Sequence, residues 1–474
     1  MNHRQWYIAA LLVALSLRLY GLGDESLWLD EQHTLGLMKK GWSGITADAT
    51  QGPLFLLLEK LFTSVTGLSE SGLRAISVVF GVASVSALYR LALFLFTPAA
   101  ALWAAWLMAV NPAMIHISQD ARPYALMLFL ASMCALYALR SVTRGNLSDR
   151  VAFVLCVAAL VYTHAFGVFI FPMILALWWL HSRQGPMEYR KLIWPLVAIL
   201  LLCLPQLLIF GERFLTKAGG GEVALWIEEP SVATLFAVPY HFFRFPLLAG
   251  LLALFFVIGV YRSVARQSVP VWSISVSTLF AIAFAFLPWL TSILLTPIFV
   301  FRYATPAALT CFLLLGFAVS ESKPRHRIAL AVALFLVSLF PLHSYYTKLD
   351  KEPWNRVADV LAEPGHCPDI ILADRNYIAK CVKNYLPDEL DSRIAASESG
   401  EPLHIKLQSV NTVVRVSAYN SESNSPAVAA ELNANWRRTD SIVYPPESDV
   451  NPYAVSWVSP ITLSWWTRSE ESQP

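Results

Sequence analysis

Apolar residues in this chain come in long runs rather than in the short alternations of a soluble domain. From Trp6 to about Ser344, stretches of roughly 17 to 22 apolar residues recur, the length at which a helix crosses about 30 Å of hydrocarbon. They fall at 6–22, 74–96, 99–115, 123–140, 151–164, 165–181, 192–210, 247–261, 271–289, 303–320 and 328–344, and predict about eleven membrane-spanning helices. The stretch 151–181 is apolar except at a polar centre, Tyr162-Thr163-His164, so it reads as one long helix or two short ones. After Tyr345 the pattern changes to charge, Asn, Ser and Pro. There Trp354, Val357, Val360 and Leu361 stand at helical spacing, "DIILA" reads as a short buried strand and "TVVRVSAY" alternates as another. The expectation is a polytopic α-helical membrane domain over 1–345, with a first outer loop at 23–73, followed by a small soluble α/β domain over 346–474.

Composition agrees with this pattern. Of 474 residues 56% are hydrophobic and 14% charged, against about 25% charged in soluble domains, and the mean hydropathy is +0.52. No small-x-small cleavage site separates the first run from "DESLWLDE", so that run is expected to be the first span rather than a removed leader. A formal net charge of +2 gives no footing for nucleic acid as a partner; the placement of the basic residues is more informative. With the N-terminus in the cytoplasm and 151–181 crossing twice, "RSVTRGNLSDR", "HSRQGPMEYRK", "YRSVARQ" and "ESKPRHR" all fall on the cytoplasmic side, as the positive-inside rule requires. The long connections and the C-terminal domain then lie outside, which for a bacterial inner membrane is the periplasm. Cys134, Cys156, Cys203 and Cys311 sit in apolar spans as small hydrophobes. Cys367 and Cys381 lie in the outer domain, where an oxidising compartment is expected to join them in a disulfide.

Charge at the edge of a membrane is costly unless it faces water or a partner, so it marks candidate chemistry. The first outer loop carries the adjacent acids Asp30 and Glu31 in "LWLDEQHTL", and then an amphipathic stretch opening at Gly52-Pro53. The second carries Asp120, Arg122 and Tyr124 in "SQDARPYALM". His164 stands at the end of the fifth run, His241 and Arg244 follow in "PYHFFRFP", and Arg302 with Tyr303 in "PIFVFRYATP". Carboxylates and cations on one membrane face suit transfer from a lipid-borne phosphate: cations stabilise a departing phosphate, and a carboxylate takes the proton of an attacking hydroxyl. Each residue also has a plainer reading. Asp30 suits a helix N-cap and Glu31 the positive end of the same helix. Asp120 and Arg122 would make a surface pair, His164 a hydrogen-bonded core histidine, and Arg302 a side chain snorkelling to the headgroups.

At these residues the chain resembles a known family. "LWLDE" after the first span, "GPLFLLLEKLF", "LRAISVVFGVASVSALYRL", "SQDARPYALMLFL", "YTHAFGVF" and "FRYATPAAL" look, in that order, like the bacterial GT-C glycosyltransferases. The nearest branch is that of protein O-mannosyltransferases and the lipid A aminoarabinose transferase. The resemblance implies a GT-C bundle and a polyprenyl-phosphate sugar as donor. It also matches Asp30 and Asp120 to the family's two loop acids; the residues themselves add Glu31 as a catalytic acid, phosphate contacts from Arg122, Tyr124, Arg302 and His164, and a glycan, lipid or protein hydroxyl as the expected acceptor. A divalent metal ion is a further possibility with no ligand set assigned. Many relatives carry His-Pro-Pro or Lys-Pro-Pro where this chain has Gln51-Gly52-Pro53, which takes a phosphate or metal contact away from that loop. The rival function is a transporter or flippase of a lipid-linked saccharide. Transporters tend to show internal repeats and charge near the midplane; here charge gathers at one face and no repeat appears.

Overall fold

The computed structural model describes residues 2–47, 52–183, 190–218, 227–243, 250, 261, 271–349, 351–398, 407–419, 425–445 and 460–469. Its contacts divide the chain into two compact units, one of Met1–Leu22 with Gly36–His343 and one of Gly23–Leu35 with Ser344–Pro474.

The first unit is a helical bundle. Its main members are α1 (His3–Leu19), α4 (Pro53–Thr66), α5 (Glu70–Leu95), α6 (Pro98–Ala109), α7 (Pro112–Ser118), α8 (Tyr124–Thr143), α9 (Leu147–Thr163), α10 (Ile170–Ser182) and α11 (Arg190–Ala218). They are joined by α12 (Val232–Phe243), α13 (Val271–Ala281), α14 (Leu287–Leu294), α15 (Ala308–Ser320) and α16 (Pro324–Thr347). Two short helices of the first connection, α2 (Leu29–Lys39) and α3 (Trp42–Ala47), precede α4. Helix starts are written in the sequence. Ser69, Thr97, Asn111 and Asn146 cap α5, α6, α7 and α9 by accepting a backbone N–H from three residues on, and Pro98 and Pro112 occupy first-turn positions where no N–H is needed.

Of the segments expected to span, 247–261 lies almost wholly outside the described residues; the other ten are helical. The 151–181 stretch is two helices, because His164 is fully extended and a 3₁₀ turn, Ala165–Phe169, leads into α10. The 99–115 segment is likewise broken, α6 and α7 meeting at 65°. By length and hydropathy alone six helices among the described residues qualify as spans, or seven with the bent pair; α1 and α9, at 17 residues each, are shorter. A π-helical turn, Ile282–Phe286, joins α13 to α14. The backbones approach closely where small residues permit: a Cβ on Gly316 of α15 would lie 2.6 Å from Ala100 O of α6.

The second unit is built on a mixed five-stranded sheet in the order β2-β1-β3-β5-β4, with β1 Ile370–Ala373, β2 Ile394–Ala396, β3 Thr412–Ser417, β4 Trp436–Tyr444 and β5 Ile461–Arg468. β1 runs parallel to β2 and β3, while β5 is antiparallel to β3 and β4. Successive residues serve opposite faces, as the pleat dictates. Ile371, Val414 and Trp465 pack beneath α17 (Trp354–Ala362) and α18 (Asn376–Lys383). Leu372, Val413 and Trp466 pack beneath α19 (Pro426–Asn435). The helix and both strands expected from the sequence are present. At the end of β1, Asp374 and Arg415 form a buried two-pronged ion pair, Nε to Oδ1 at 2.8 Å and Nη2 to Oδ2 at 3.2 Å.

The expected disulfide is absent: Cys367 and Cys381 are free thiols. Cys381 is on the inward face of α18 with Ile378 and Val382 and belongs to the core. Cys367 Sγ instead accepts a hydrogen bond from Arg393 at 3.3 Å. Burial pushes the Cys381 thiol well up from its ordinary pKa, which keeps it protonated and slow to exchange.

Candidate functional site

In the membrane unit, the α6–α7 break sets the second connection in place. Pro112 has no N–H to offer Met108 O, and the buried guanidinium of Arg18 takes over. Its Nη2 donates to Met108 O at 3.4 Å and its Nη1 to Ala109 O at 3.0 Å and Ala14 O at 3.1 Å, while Nε donates to Ser118 Oγ at 3.0 Å. Gly81 of α5 makes room for this knot, since a Cβ there would lie 2.1 Å from Ser118 Oγ and 3.1 Å from Arg18 Nε. Gln119 follows at once, its amide donating to the carbonyls of Arg18 and Tyr20. Asp120 and Arg122, both buried, then make a tight turn, Arg122 N donating to Asp120 O at 2.7 Å, and Ser77 of α5 donates to Arg122 O.

Tyr124, the first residue of α8, is fully buried and faces an aromatic group drawn from two other breaks in the helical pattern. Its ring lies 6.1 Å from that of His164 and 6.1 Å from that of Tyr303, and the last two are 4.8 Å apart. Phe166 closes on Tyr303 at 5.3 Å. Tyr303 belongs to a 3₁₀ helix, Phe301–Ala307. Ser292 Oγ holds its approach by accepting N–H bonds from Ile298 and Phe299, and His241 of α12 stacks on Phe301 at 4.7 Å. The Arg302 guanidinium lies 5.5 Å from the Tyr303 ring.

His164 Nδ1 accepts the Phe166 N–H at 3.1 Å, which leaves the proton of the neutral ring on Nε2. The positive charges of Arg122 and Arg302 both act on this ring. The ring is therefore a neutral donor in a field set by two guanidinium groups. The structure thus brings Arg122, Tyr124, His164 and Arg302 together, with Tyr303 among them. The first connection also reaches this place. Gly52, capping α4 ahead of Pro53, has no room for a side chain, because a Cβ would sit 2.1 Å from Tyr162 O, two residues before His164. Gln51 and Arg244 lie outside the described residues.

Asp30 and Glu31 belong to the other compact unit. Helix α2 starts at Leu29, so Asp30 stands inside its first turn rather than at the N-cap, with the half-exposed carboxylate near the positive end of the dipole. Glu31 is fully buried and committed to an ion pair with Lys351, Nζ to Oε1 at 3.0 Å. Further bonds fasten this segment to the start of the C-terminal chain. Ser26 Oγ donates to Glu352 O at 2.6 Å and accepts from Trp354 N at 3.0 Å, Lys351 N donates to Glu25 Oε1, and Tyr385 Oη accepts from Leu27 N at 2.7 Å. Asn384 donates to Gln32. The phenol of Tyr419 is pushed well above its ordinary pKa by burial and then by the carboxylates of Glu352 and Asp30.

No group of three or more His, Cys, Asp or Glu side chains that could hold a metal gathers among the described residues. No step is routed through a divalent ion. Sequence reasoning passed over Arg18, Lys351 and Tyr419. For Arg18 a signal existed, a charge inside an apolar run.

Three comparisons bear on this arrangement. Residues 50–209 match the family model described as dolichyl-phosphate-mannose-protein mannosyltransferase. Among solved structures, ArnT from Cupriavidus metallidurans bound to undecaprenyl phosphate is similar over 97% of this chain and 98% of its own, with a TM-score of 0.57 at 12% identity. Archaeal oligosaccharyltransferase AglB from Archaeoglobus fulgidus, in complex with an inhibitory peptide and a dolichol-phosphate, is similar over 100% of this chain and 75% of its own, with a TM-score of 0.57 at 13% identity. Arabinofuranosyltransferase AftD from Mycobacteria is similar over 98% and 40%, with a TM-score of 0.50 at 15% identity. A search of curated protein sequences found no match. The fold is that of the GT-C glycosyltransferases, as the sequence resemblance implied.

Proposed function

We propose that the chain is an inverting glycosyltransferase of the bacterial inner membrane. It would move a sugar from a polyprenyl phosphate to a hydroxyl of a glycan, lipid or protein at the periplasmic face. The observation that carries this reading is the gathering of Arg122 and Arg302 around a neutral His164 and the Tyr124 and Tyr303 rings, each group drawn from a separate break in the helical pattern. Two guanidinium groups and a neutral N–H suit a phosphodiester better than a neutral sugar. The solved relatives titled as complexes with undecaprenyl phosphate and dolichol-phosphate support the same donor class.

In the reaction the acceptor oxygen attacks the anomeric carbon from the side opposite the phosphate, and the bond from that carbon to the phosphate oxygen breaks. The sugar inverts and polyprenyl phosphate leaves with one more negative charge. Arg122 and Arg302 balance that charge as it develops, with Asp120 orienting the turn that carries Arg122. The acceptor's proton goes to Asp30. Glu31 is unsuited to that task, because its carboxylate is buried and already paired with Lys351.

The test uses purified full-length protein added to detergent-solubilised membranes of a strain lacking it. Release of undecaprenyl phosphate from its sugar-linked form is followed. Asp30→Asn keeps the shape but cannot take a proton, so turnover is expected to fall by about 10²- to 10⁴-fold with undecaprenyl phosphate affinity retained; Arg302→Ala weakens both. Wild-type protein inactive without a sealed compartment would point to a transporter. Asp30→Asn turning over within about threefold of wild type, too little for a general base, would make the acid a spectator.

A further inference from the structure

We propose that Lys351, through its buried pair with Glu31, is a positioning residue for Asp30, so that the C-terminal unit is a working part of the transferase. The inference rests on the reading of Asp30 as the base and extends it. Asp30 is one peptide bond from Glu31, and Glu31 is the deepest charged anchor of the 23–35 segment: its side chain is fully buried and that of Lys351 is only 2% exposed. A buried carboxylate without a partner is strongly disfavoured, so the pair fixes which face of α2 turns inward. Asp30 is left on the half-exposed side.

The remaining bonds act in the same direction. Lys351 and Glu352 grip the segment through Glu25 and Ser26, Tyr385 and Asn384 hold Leu27 and Gln32, and Leu29 packs against the core beneath α17 and α18. These bonds from the C-terminal chain reach residues 25–32, on both sides of Asp30. Tyr419, which feels the Asp30 charge, adopts a left-handed φ of 55°. It alone does so among the described residues other than glycine, and such backbone persists only where its surroundings impose it.

The experiment compares Lys351→Met, Glu31→Gln and the double variant Glu31→Gln/Lys351→Met in the undecaprenyl phosphate release assay. Affinity for undecaprenyl phosphate and hydrogen exchange of the full-length protein are measured alongside. Lys351→Met is expected to lose at least about tenfold in turnover with affinity within about twofold of wild type. Amides of 26–34 should exchange faster while β1 and β3 stay protected. The double variant leaves no uncompensated charge and is expected to recover to within about threefold of wild type, which a catalytic Glu31 would not allow. Tyr385→Phe, a milder change that removes only the bond to Leu27, should move turnover and exchange in the same direction as Lys351→Met by a few-fold.

The proposal is overturned if Lys351→Met and Tyr385→Phe both turn over within about twofold of wild type, if the double variant stays as impaired as Lys351→Met, or if protection of β1 and β3 is lost together with that of 26–34 in both single variants. Asp30→Asn, run in parallel, separates the two claims. Full activity of Asp30→Asn refutes the base itself, whereas an inactive Asp30→Asn beside an active Lys351→Met refutes only the positioning.

Discussion

Replacing Arg18 by Met keeps the apolar stem and removes the guanidinium that ties α1, α6 and α7 together, so it measures what a buried cation does in the bundle. Four acceptors lose a donor: Ala14 O, Met108 O, Ala109 O and Ser118 Oγ. Ser118 retains its own bond to Met114 O at 2.6 Å, and Ala14 lies in mid-helix, where the backbone supplies a donor. The loss therefore concentrates on Met108 and Ala109, at the end of α6, where Pro112 cannot donate. An orphaned buried carbonyl costs about 1–3 kcal/mol, but relief of the guanidinium's desolvation offsets part of this, and polar contacts in bundles average nearer 0.6 kcal/mol. About 2 kcal/mol is the expected net cost. At about 2 °C per kcal/mol for a large domain, the melting midpoint in detergent should fall by about 4 °C. Arg18→Lys should be no better than Met, because an ammonium keeps the charge that burial penalises and lacks the planar fork that reaches four acceptors at once. Turnover should fall as well, since Gln119, Asp120 and Arg122 follow directly from the knot. A midpoint for Arg18→Met within about 1 °C of wild type, or a wild-type-like Arg18→Lys, would refute the argument from directional hydrogen bonds.

Gly52→Ala places a carbon where the Tyr162 carbonyl oxygen is 2.1 Å away; overpacking of this kind costs about 1–3 kcal/mol. A midpoint several degrees lower and weaker undecaprenyl phosphate binding are expected, and an unchanged midpoint would show that the start of α4 yields freely.

What was legible in the sequence and what was not divide along a physical line. Runs of apolar residues and the alternation of β3 are local signals, and each reappears as the expected element. The grouping of Arg122, Tyr124, His164 and Arg302 was legible only as charge and aromatic character at the ends of apolar runs; that they meet depends on three separate breaks in helical pattern. Asp30 looked like a cap because a cap is read from the residues after it. The start of α2 at Leu29 is instead compatible with the distant hold on Leu27, Gln32 and Glu31.

Two buried ion pairs of the second unit show why sequence pattern is silent on such contacts. Glu31 and Lys351 are 320 residues apart, and nothing near either of them marks the other; "LDEQH" and "LDKEPW" both read as polar surface. A charged residue is assigned to solvent by default because burying it unpaired is expensive, and only the fold reveals that the opposite charge is buried with it. Asp374 and Arg415 repeat the point within one sheet: Arg415 interrupts the apolar strand Thr412–Ser417, which taken alone would argue for an exposed edge, yet β3 lies between β1 and β5 and the guanidinium is satisfied by Asp374 at the end of the neighbouring strand. A charge that breaks an otherwise apolar pattern is thus evidence for a distant partner, and Arg18, within the first span of this chain, satisfies the same rule with carbonyl oxygens in place of a carboxylate.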